Sequence, residues 1–141
     1  MGSKLTAPLV AVALAVCLLA GCTAARNSLG TSDSSCYLAL PAAKQAVGPH
    51  SRFIGVHQFT LSSLHQKAPK LFHSLPAVKP TSQRVCLIEF VGSFTAASVR
   101  KPLGRSSGQL AVVVSEAPSN RLLGTVIFHH APLNFAHPHV G

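Results

Sequence analysis

Histidines crowd the C-terminal end of this 141-residue chain, where four of its eight histidines lie. In an extended segment, residues two apart point to the same side, so two histidines separated by one residue present their imidazoles together. Neutral imidazoles bind Zn²⁺, Cu²⁺ and Ni²⁺. One hypothesis is therefore that a divalent transition metal, the only cofactor that the sequence suggests, binds through His129, His130, His137 and His139.

Two other interpretations of these histidines stay open. Their spacing matches none of the Cys/His patterns of zinc sites, and it is consistent with ordinary surface residues. Because the charge of imidazole changes near neutral pH, they are also consistent with a pH sensor that makes the chain more positive on acidification. The only methionine is Met1, which argues against Cu⁺ bound through thioethers.

Carboxylates, which most hydrolytic chemistry requires, are scarce: the chain has only Asp33, Glu89 and Glu116. Paired carboxylates for glycoside hydrolysis, an acidic Ca²⁺ or Mg²⁺ cage and a Ser-His-Asp triad are therefore not expected. We expect Glu89 to face solvent from a strand, opposite a lysine or arginine, since its alternative role as a general base lacks companions. The sequence predicts that the protein is not an enzyme.

The N-terminal segment has the composition of an export signal. Residues 1–4 form a short, positively charged region, and residues 5–19 are almost all apolar. An apolar stretch of this length is shorter than the roughly 20 residues of a membrane-spanning helix, but it suits the hydrophobic region of a signal peptide. The alternative is an uncleaved membrane helix, which Pro8 near its start and Gly21 at its end disfavour.

The sequence Leu19-Ala20-Gly21-Cys22 at the end of this segment resembles the lipobox of bacterial lipoproteins. The resemblance implies that residues 1–21 are a cleaved signal peptide and that Cys22 receives a diacylglyceryl group, usually with acylation of the new N-terminus. Each buried methylene of such chains contributes about 0.8 kcal/mol to membrane binding. The chain would then lie on the extracytoplasmic face of the cell membrane or outer membrane. Thr23 replaces the aspartate that retains some lipoproteins at the inner membrane.

Two cysteines remain once Cys22 carries lipid and Cys17 leaves with the signal peptide. In an exported protein, an even pair of cysteines predicts a disulfide, here between Cys36 and Cys86. It would close a loop of 86 − 36 = 50 residues. In the chain-entropy model such a bond stabilises the fold by about 4 kcal/mol.

Charge indicates the class of partner. The chain has 12 Lys and Arg against 3 Asp and Glu, and the loss of Lys4 leaves 11 − 3 = +8. Outside the cytoplasm the expected anions are lipid head groups, cell-wall polymers or an acidic envelope protein, and no nucleic acid. A basic surface that only keeps the protein soluble is the alternative.

The domain organisation follows from composition and periodicity. Residues 22–35 read as the lipidated N-terminus and a flexible tether, and residues 36–141 as one small domain with a histidine-containing tail. A helix is predicted from 36 to 47, before Gly48 and Pro49. Pro41 either kinks this helix or begins it, with residues 36–40 extended; we favour the kink.

Strand patterns occupy most of the remaining chain. Strands are predicted at 52–60, 84–94, 109–116 and 121–130, the last two forming a hairpin, with an irregular, partly helical stretch at 61–79 and a basic loop at 95–108. The face of strand 84–94 that carries Cys86 should meet the helix that carries Cys36. The predicted fold is α+β: one helix packed on a mainly antiparallel sheet of about four strands, stapled by one disulfide.

This order of elements is similar to that of PepSY-like domains, small exported modules tied to peptidase inhibition or envelope regulation. The similarity covers roughly residues 36–130 and includes no diagnostic motif. It implies a non-enzymatic protein-interaction or regulatory module, lipid-anchored in the cell envelope. The alternative function is binding of a metal or small ligand by the C-terminal histidines.

Overall fold

The structure is a computed structural model that describes residues 34–129. The predicted signal peptide, Cys22 and most of the tether lie outside the described residues, as does the tail from 130 onward. No helix in the described part is long and apolar enough to cross a membrane. Its elements are a 3-10 helix (Ser34–Ala39), α1 (Leu40–Val47), β1 (Arg52–Thr60), α2 (Leu61–Lys67), α3 (Pro69–Ser74), β2 (Arg84–Thr95), β3 (Pro102–Gly104), β4 (Ser107–Glu116) and β5 (Leu122–Phe128).

The five strands form one sheet in the order β1-β2-β4-β5-β3. The pairs β1–β2, β2–β4 and β4–β5 are antiparallel, as predicted, and β3 pairs in parallel with β5. The prediction of about four strands missed β3, which lies within the stretch 95–108 expected to be a loop. Its three residues are too few to show the alternation that marks a strand, and only its pairing with β5 defines it.

Helices cover both faces of the sheet, so the prediction of one helix packed on it was incomplete. On one face, Cys86, Ile88 and Phe90 of β2 belong to the same buried cluster as Ala43 and Val47 of α1. On the other face, a second cluster joins the buried side chains of β2 and β4 to those of α2 and α3; its members include Leu64, Leu71, Val85, Leu87 and Val114. Successive side chains of a strand point to opposite faces, so the unbroken apolar run at the start of β2 needs cover on both.

The first helical segment begins as a 3-10 helix and continues as an α-helix. Residues 34–39 form the 3-10 helix, and α1 then begins at Leu40 with a proline in its first turn. Residues 36–39 are therefore helical and not extended, and a change from 3-10 to α-helix takes the place of the favoured kink at Pro41. A proline in the first turn removes an N–H that has no intrahelical partner, which is why Pro41 is tolerated there.

The stretch 61–79 is partly helical, as predicted. Thr60 caps α2, because its hydroxyl oxygen accepts a hydrogen bond from the amide of Ser63 at 3.1 Å. The helix α2 ends at Lys67, and Pro69 begins α3 after the single residue Ala68. After α3 the chain runs through residues 75–83 to β2. Backbone bonds from Leu61 to Gln83 and from Ser62 to Thr81, both 2.9 Å, hold the end of this loop against the start of α2.

Candidate functional site

The predicted disulfide is present in the structure. Cys36 of the 3-10 helix is bonded to Cys86 of β2, with a Cα–Cα distance of 5.4 Å, and both residues are fully buried. The bond ties the segment that follows the tether to a central strand of the sheet. Because residues 34–129 contain no other cysteine, this part of the chain offers no thiol for nucleophilic chemistry.

Only one of the four predicted metal ligands lies among the described residues. His129 is exposed immediately after β5, while His130, His137 and His139 lie outside the described residues. Among residues 34–129, no group of three histidine, cysteine or acidic side chains could hold a metal ion. A histidine pair that periodicity did not indicate lies on α2 and α3, where the ring centroids of His65 and His73 are 5.6 Å apart. The C-terminal metal site therefore stays a prediction.

Glu89 is buried, and the expectation that it faces solvent opposite a cation was wrong. Only 4% of this residue is exposed, and its register partners on the neighbouring strands are Gly55 and Val112. Its Oε1 accepts no hydrogen bond within the described part. Burial raises the pKa of the Glu89 carboxyl, and the nearby charge of His57 opposes that effect. The alternation of β2 puts Glu89 on the Leu87 face, which α2 and α3 turn into core.

A groove with cationic side chains lies between the 75–83 loop and the β4–β5 hairpin. Its volume is about 490 Å³. Four of its lining residues are buried or half-buried and apolar, and three are exposed and positively charged. We call it the cationic groove; its apolar floor consists of Leu61, Val78, Leu122 and Leu123, and its cations are Lys79, Lys101 and Arg121.

Backbone hydrogen bonds fix the walls of the cationic groove. On the hairpin side, the amide of Glu116 donates to the carbonyl of Arg121 at 2.9 Å. The loop before β3 is tied to β5, since Thr125 donates its amide to the carbonyl of Lys101, also at 2.9 Å. The ammonium of Lys101 donates to the carbonyl oxygen of Leu122 at 2.9 Å, which places this cation beside the apolar floor.

One carboxylate, Glu116, also lines the cationic groove, and its negative charge is paired with Arg121. Arg121 donates from Nε to Glu116 Oε2 at 2.8 Å and from Nη2 to Oε1. The hydrogen bond from Arg121, with a further one from Gln83, lowers the pKa of Glu116 to about 2. Glu116 is thus ionised at neutral pH, and three cations against one carboxylate leave the groove with 3 − 1 = +2.

The same imbalance extends over the described part of the chain. Residues 34–129 contain ten Lys and Arg against two Glu, a formal charge of 10 − 2 = +8. One of the two carboxyls is buried at Glu89 and the other is paired with Arg121. The cations other than Arg121 therefore have no carboxylate partner among these residues, and an anion that approaches this surface meets little opposing charge.

Comparison with known proteins adds no family. No protein-family model matches the chain, and no curated protein or solved structure matches it either. The resemblances to the bacterial lipobox and to PepSY-like domains therefore stay predictions from the sequence. For the domain itself, the charge and geometry of the described residues are the physical basis for a function.

Proposed function

We propose that this protein is a lipid-anchored lipoprotein of the cell envelope whose domain is a non-enzymatic module that binds an anionic component of that envelope. The lipobox at Leu19-Ala20-Gly21-Cys22 supports the anchor and a position on the extracytoplasmic face of the cell membrane or outer membrane. The buried Cys36–Cys86 bond supports an oxidising compartment. The anionic component is a lipid head group or a cell-wall polymer.

The proposal of an anionic partner rests on one observation: the positive charge of the described surface is not compensated by carboxylates. Both of its carboxyls are occupied, Glu89 by burial and Glu116 by Arg121, so the basic side chains are left to external anions. Screening limits such attraction to about 8 Å at physiological ionic strength. A lipid anchor would keep the domain next to head groups and wall polymers, where contacts of that length form.

A test of the anchor is intact-mass analysis of the protein purified from membranes, with and without reductant. The expected mass is that of residues 22–141 plus a diacylglyceryl group and, where the N-terminus is acylated, one further acyl chain, increasing by two hydrogens on reduction of the disulfide. A mass that corresponds to the unprocessed chain with free thiols would refute both the anchor and the compartment.

A test of the anionic partner is co-sedimentation of the unlipidated mature chain, residues 22–141 carrying Cys22→Ser, with lipid vesicles. Binding is expected to vesicles that contain phosphatidylglycerol and not to vesicles of phosphatidylcholine alone, and to weaken with added salt. Isolated cell-wall polymer replaces the vesicles in a parallel assay. Equal binding to neutral and anionic material, independent of salt, would contradict the proposal.

A protein-interaction module is a second candidate, favoured by one specific surface. The 3-10 helix lies against β1, since Gln58 donates to Ser35 Oγ at 2.9 Å, and exposes Tyr37 (52%) and Leu38 (75%). Crosslinking in intact envelopes should then capture a recurrent protein, and Leu38→Ser should abolish its capture.

A further inference from the structure

We propose that the cationic groove binds an amphiphilic anion, a molecule with a single phosphate or carboxylate head group and an aliphatic tail. This deepens the proposed function and rests on it, since it names the site and the chemical class of one anionic ligand. Three features of the groove support it: the apolar floor, the placement of the cations and the backbone of the walls.

The apolar floor fits the tail of such a ligand. The groove volume of about 490 Å³ lies within the range of small-molecule sites, roughly 300–1,000 Å³. Val78, Leu122 and Leu123 are only half-buried, so they leave apolar surface in contact with water. An aliphatic tail would remove that surface from water, which a purely ionic ligand such as inorganic phosphate cannot do.

Each cation of the groove adjoins a floor residue, so that a head group and a tail can be bound at once. Lys79 follows Val78 in the chain, and Arg121 precedes Leu122. Lys101 reaches the same place from a different loop, through its hydrogen bond to the carbonyl of Leu122. A lysine ammonium has three N–H groups, so Lys101 keeps two for a ligand oxygen.

Unusual backbone conformations concentrate at this groove. Within residues 34–129, the non-glycine residues with positive φ are Ala77 (53°), Lys101 (46°) and Asn120 (57°). The first two line the groove, and the third immediately precedes Arg121. Left-handed conformations are unfavourable for side-chain-bearing residues and cluster at ligand sites, where the surrounding structure holds them. Here backbone hydrogen bonds hold two of the three before any ligand arrives, since the carbonyl of Lys101 accepts from the amide of Thr125 and the amide of Asn120 donates to the carbonyl of Glu116.

The test is isothermal titration of the unlipidated mature chain, residues 22–141 carrying Cys22→Ser, with octyl phosphate. Octanoate tests the other head group, while inorganic phosphate lacks the tail and octyl glucoside lacks the charge. Saturable binding of octyl phosphate is expected, at least about tenfold tighter than binding of inorganic phosphate or octyl glucoside, because each of these two controls uses only one part of the groove.

A pair of matched variants locates the site. Lys79→Gln with Lys101→Gln removes two groove cations, and Lys70→Gln with Arg105→Gln removes two exposed cations elsewhere. The groove variant should bind octyl phosphate at least about tenfold more weakly, and the matched variant within about twofold of the parent chain. Since these side chains are all exposed, native far-ultraviolet spectra and cooperative urea unfolding are expected for the three proteins, which separates a lost site from a lost fold. The groove variant should have a slightly lower urea midpoint, because Lys101→Gln removes the hydrogen bond to the carbonyl of Leu122.

The outcomes separate this inference from the proposed function. An equal loss in the two variants, or no saturable binding of octyl phosphate, would overturn the groove as the site. Retained binding of both variants to phosphatidylglycerol vesicles would then leave the proposed function standing. If octyl phosphate binds in the groove and vesicles compete for it, the ligand is a bilayer lipid; if they do not compete, it is a free amphiphile, and both results support the groove.

Discussion

Removal of the Cys36–Cys86 bond is expected to destabilise the domain by about 4 kcal/mol. The bond joins residues separated by 50 positions, and closing a loop of that length removes conformational entropy from the unfolded chain equal to about 4 kcal/mol at 25 °C. Small domains have a total stability of about 5–15 kcal/mol. The double variant Cys36→Ala/Cys86→Ala should therefore keep the native fold but lose a large share of its stability.

Urea unfolding followed by circular dichroism measures this effect. With an m-value of about 1–2 kcal/mol per M, the midpoint should decrease by about 2–4 M. Wild-type protein in reductant is the control, since it lacks the bond but keeps both buried sulfur atoms. The alanine variant should be slightly less stable than this reduced protein, because truncation in a packed core leaves a small cavity.

A midpoint decrease equivalent to less than about 1 kcal/mol would refute the reasoning. It would mean that the unfolded chain gains little freedom when the bond is absent, or that the folded chain relaxes to compensate. Native far-ultraviolet spectra for the parent and variant in the absence of urea are required for the comparison, since the expected effect arises in the unfolded state and leaves the native contacts unchanged.

Three further predictions concern other parts of the described domain. Because the pKa of Glu89 is raised in the folded protein, the stability of the wild type falls as the pH rises from the unfolded pKa through the folded pKa. Glu89→Gln should therefore be more stable than the wild type above that window and should lose this advantage at acid pH. Urea unfolding at a series of values between about pH 4 and pH 9 measures the difference. The pKa of Glu116 is lowered from 4.5 to about 2, so the stability that its bond with Arg121 contributes is present above pH 4.5 and lost as the pH falls through about 2; Glu116→Gln should remove that acid dependence from the unfolding profile. A Cβ at Gly108 would overlap the carbonyl oxygen of Phe128, so Gly108→Ala should lower stability by about 1–3 kcal/mol, measured as a decreased melting temperature, and an unchanged melting temperature would contradict the close packing of β4 on β5 there.

The strands with long apolar runs and clear turns were predictable from the sequence. The predicted strand 52–60 coincides with β1, and the predicted strand 84–94 coincides with β2 except that β2 is one residue longer at its C-terminal end. The hairpin was also placed correctly, although β5 ends at Phe128 instead of residue 130. These elements follow from side-chain alternation and from turn-forming residues, both of which are local properties of the chain.

Features that depend on tertiary contacts were missed. The alternation of β2 assigns Glu89 to one face of the sheet, but whether that face meets water or protein depends on where α2 and α3 pack. β3 exists because Pro102–Gly104 pairs with a strand some twenty residues later. The groove cations Lys79, Lys101 and Arg121 are similarly distant in sequence, so no spacing rule unites them.

The two helical layers of this domain are secured to the sheet by different means. The layer formed by the 3-10 helix and α1 is attached by a covalent bond to β2, whereas α2 and α3 are held by packing and by the hydrogen bonds of their neighbouring loops. Local opening of α2 and α3 can therefore occur while the sheet stays intact. Because that motion would carry Leu61 and the 75–83 loop with it, amide exchange in α2, in α3 and in this loop should share one opening rate.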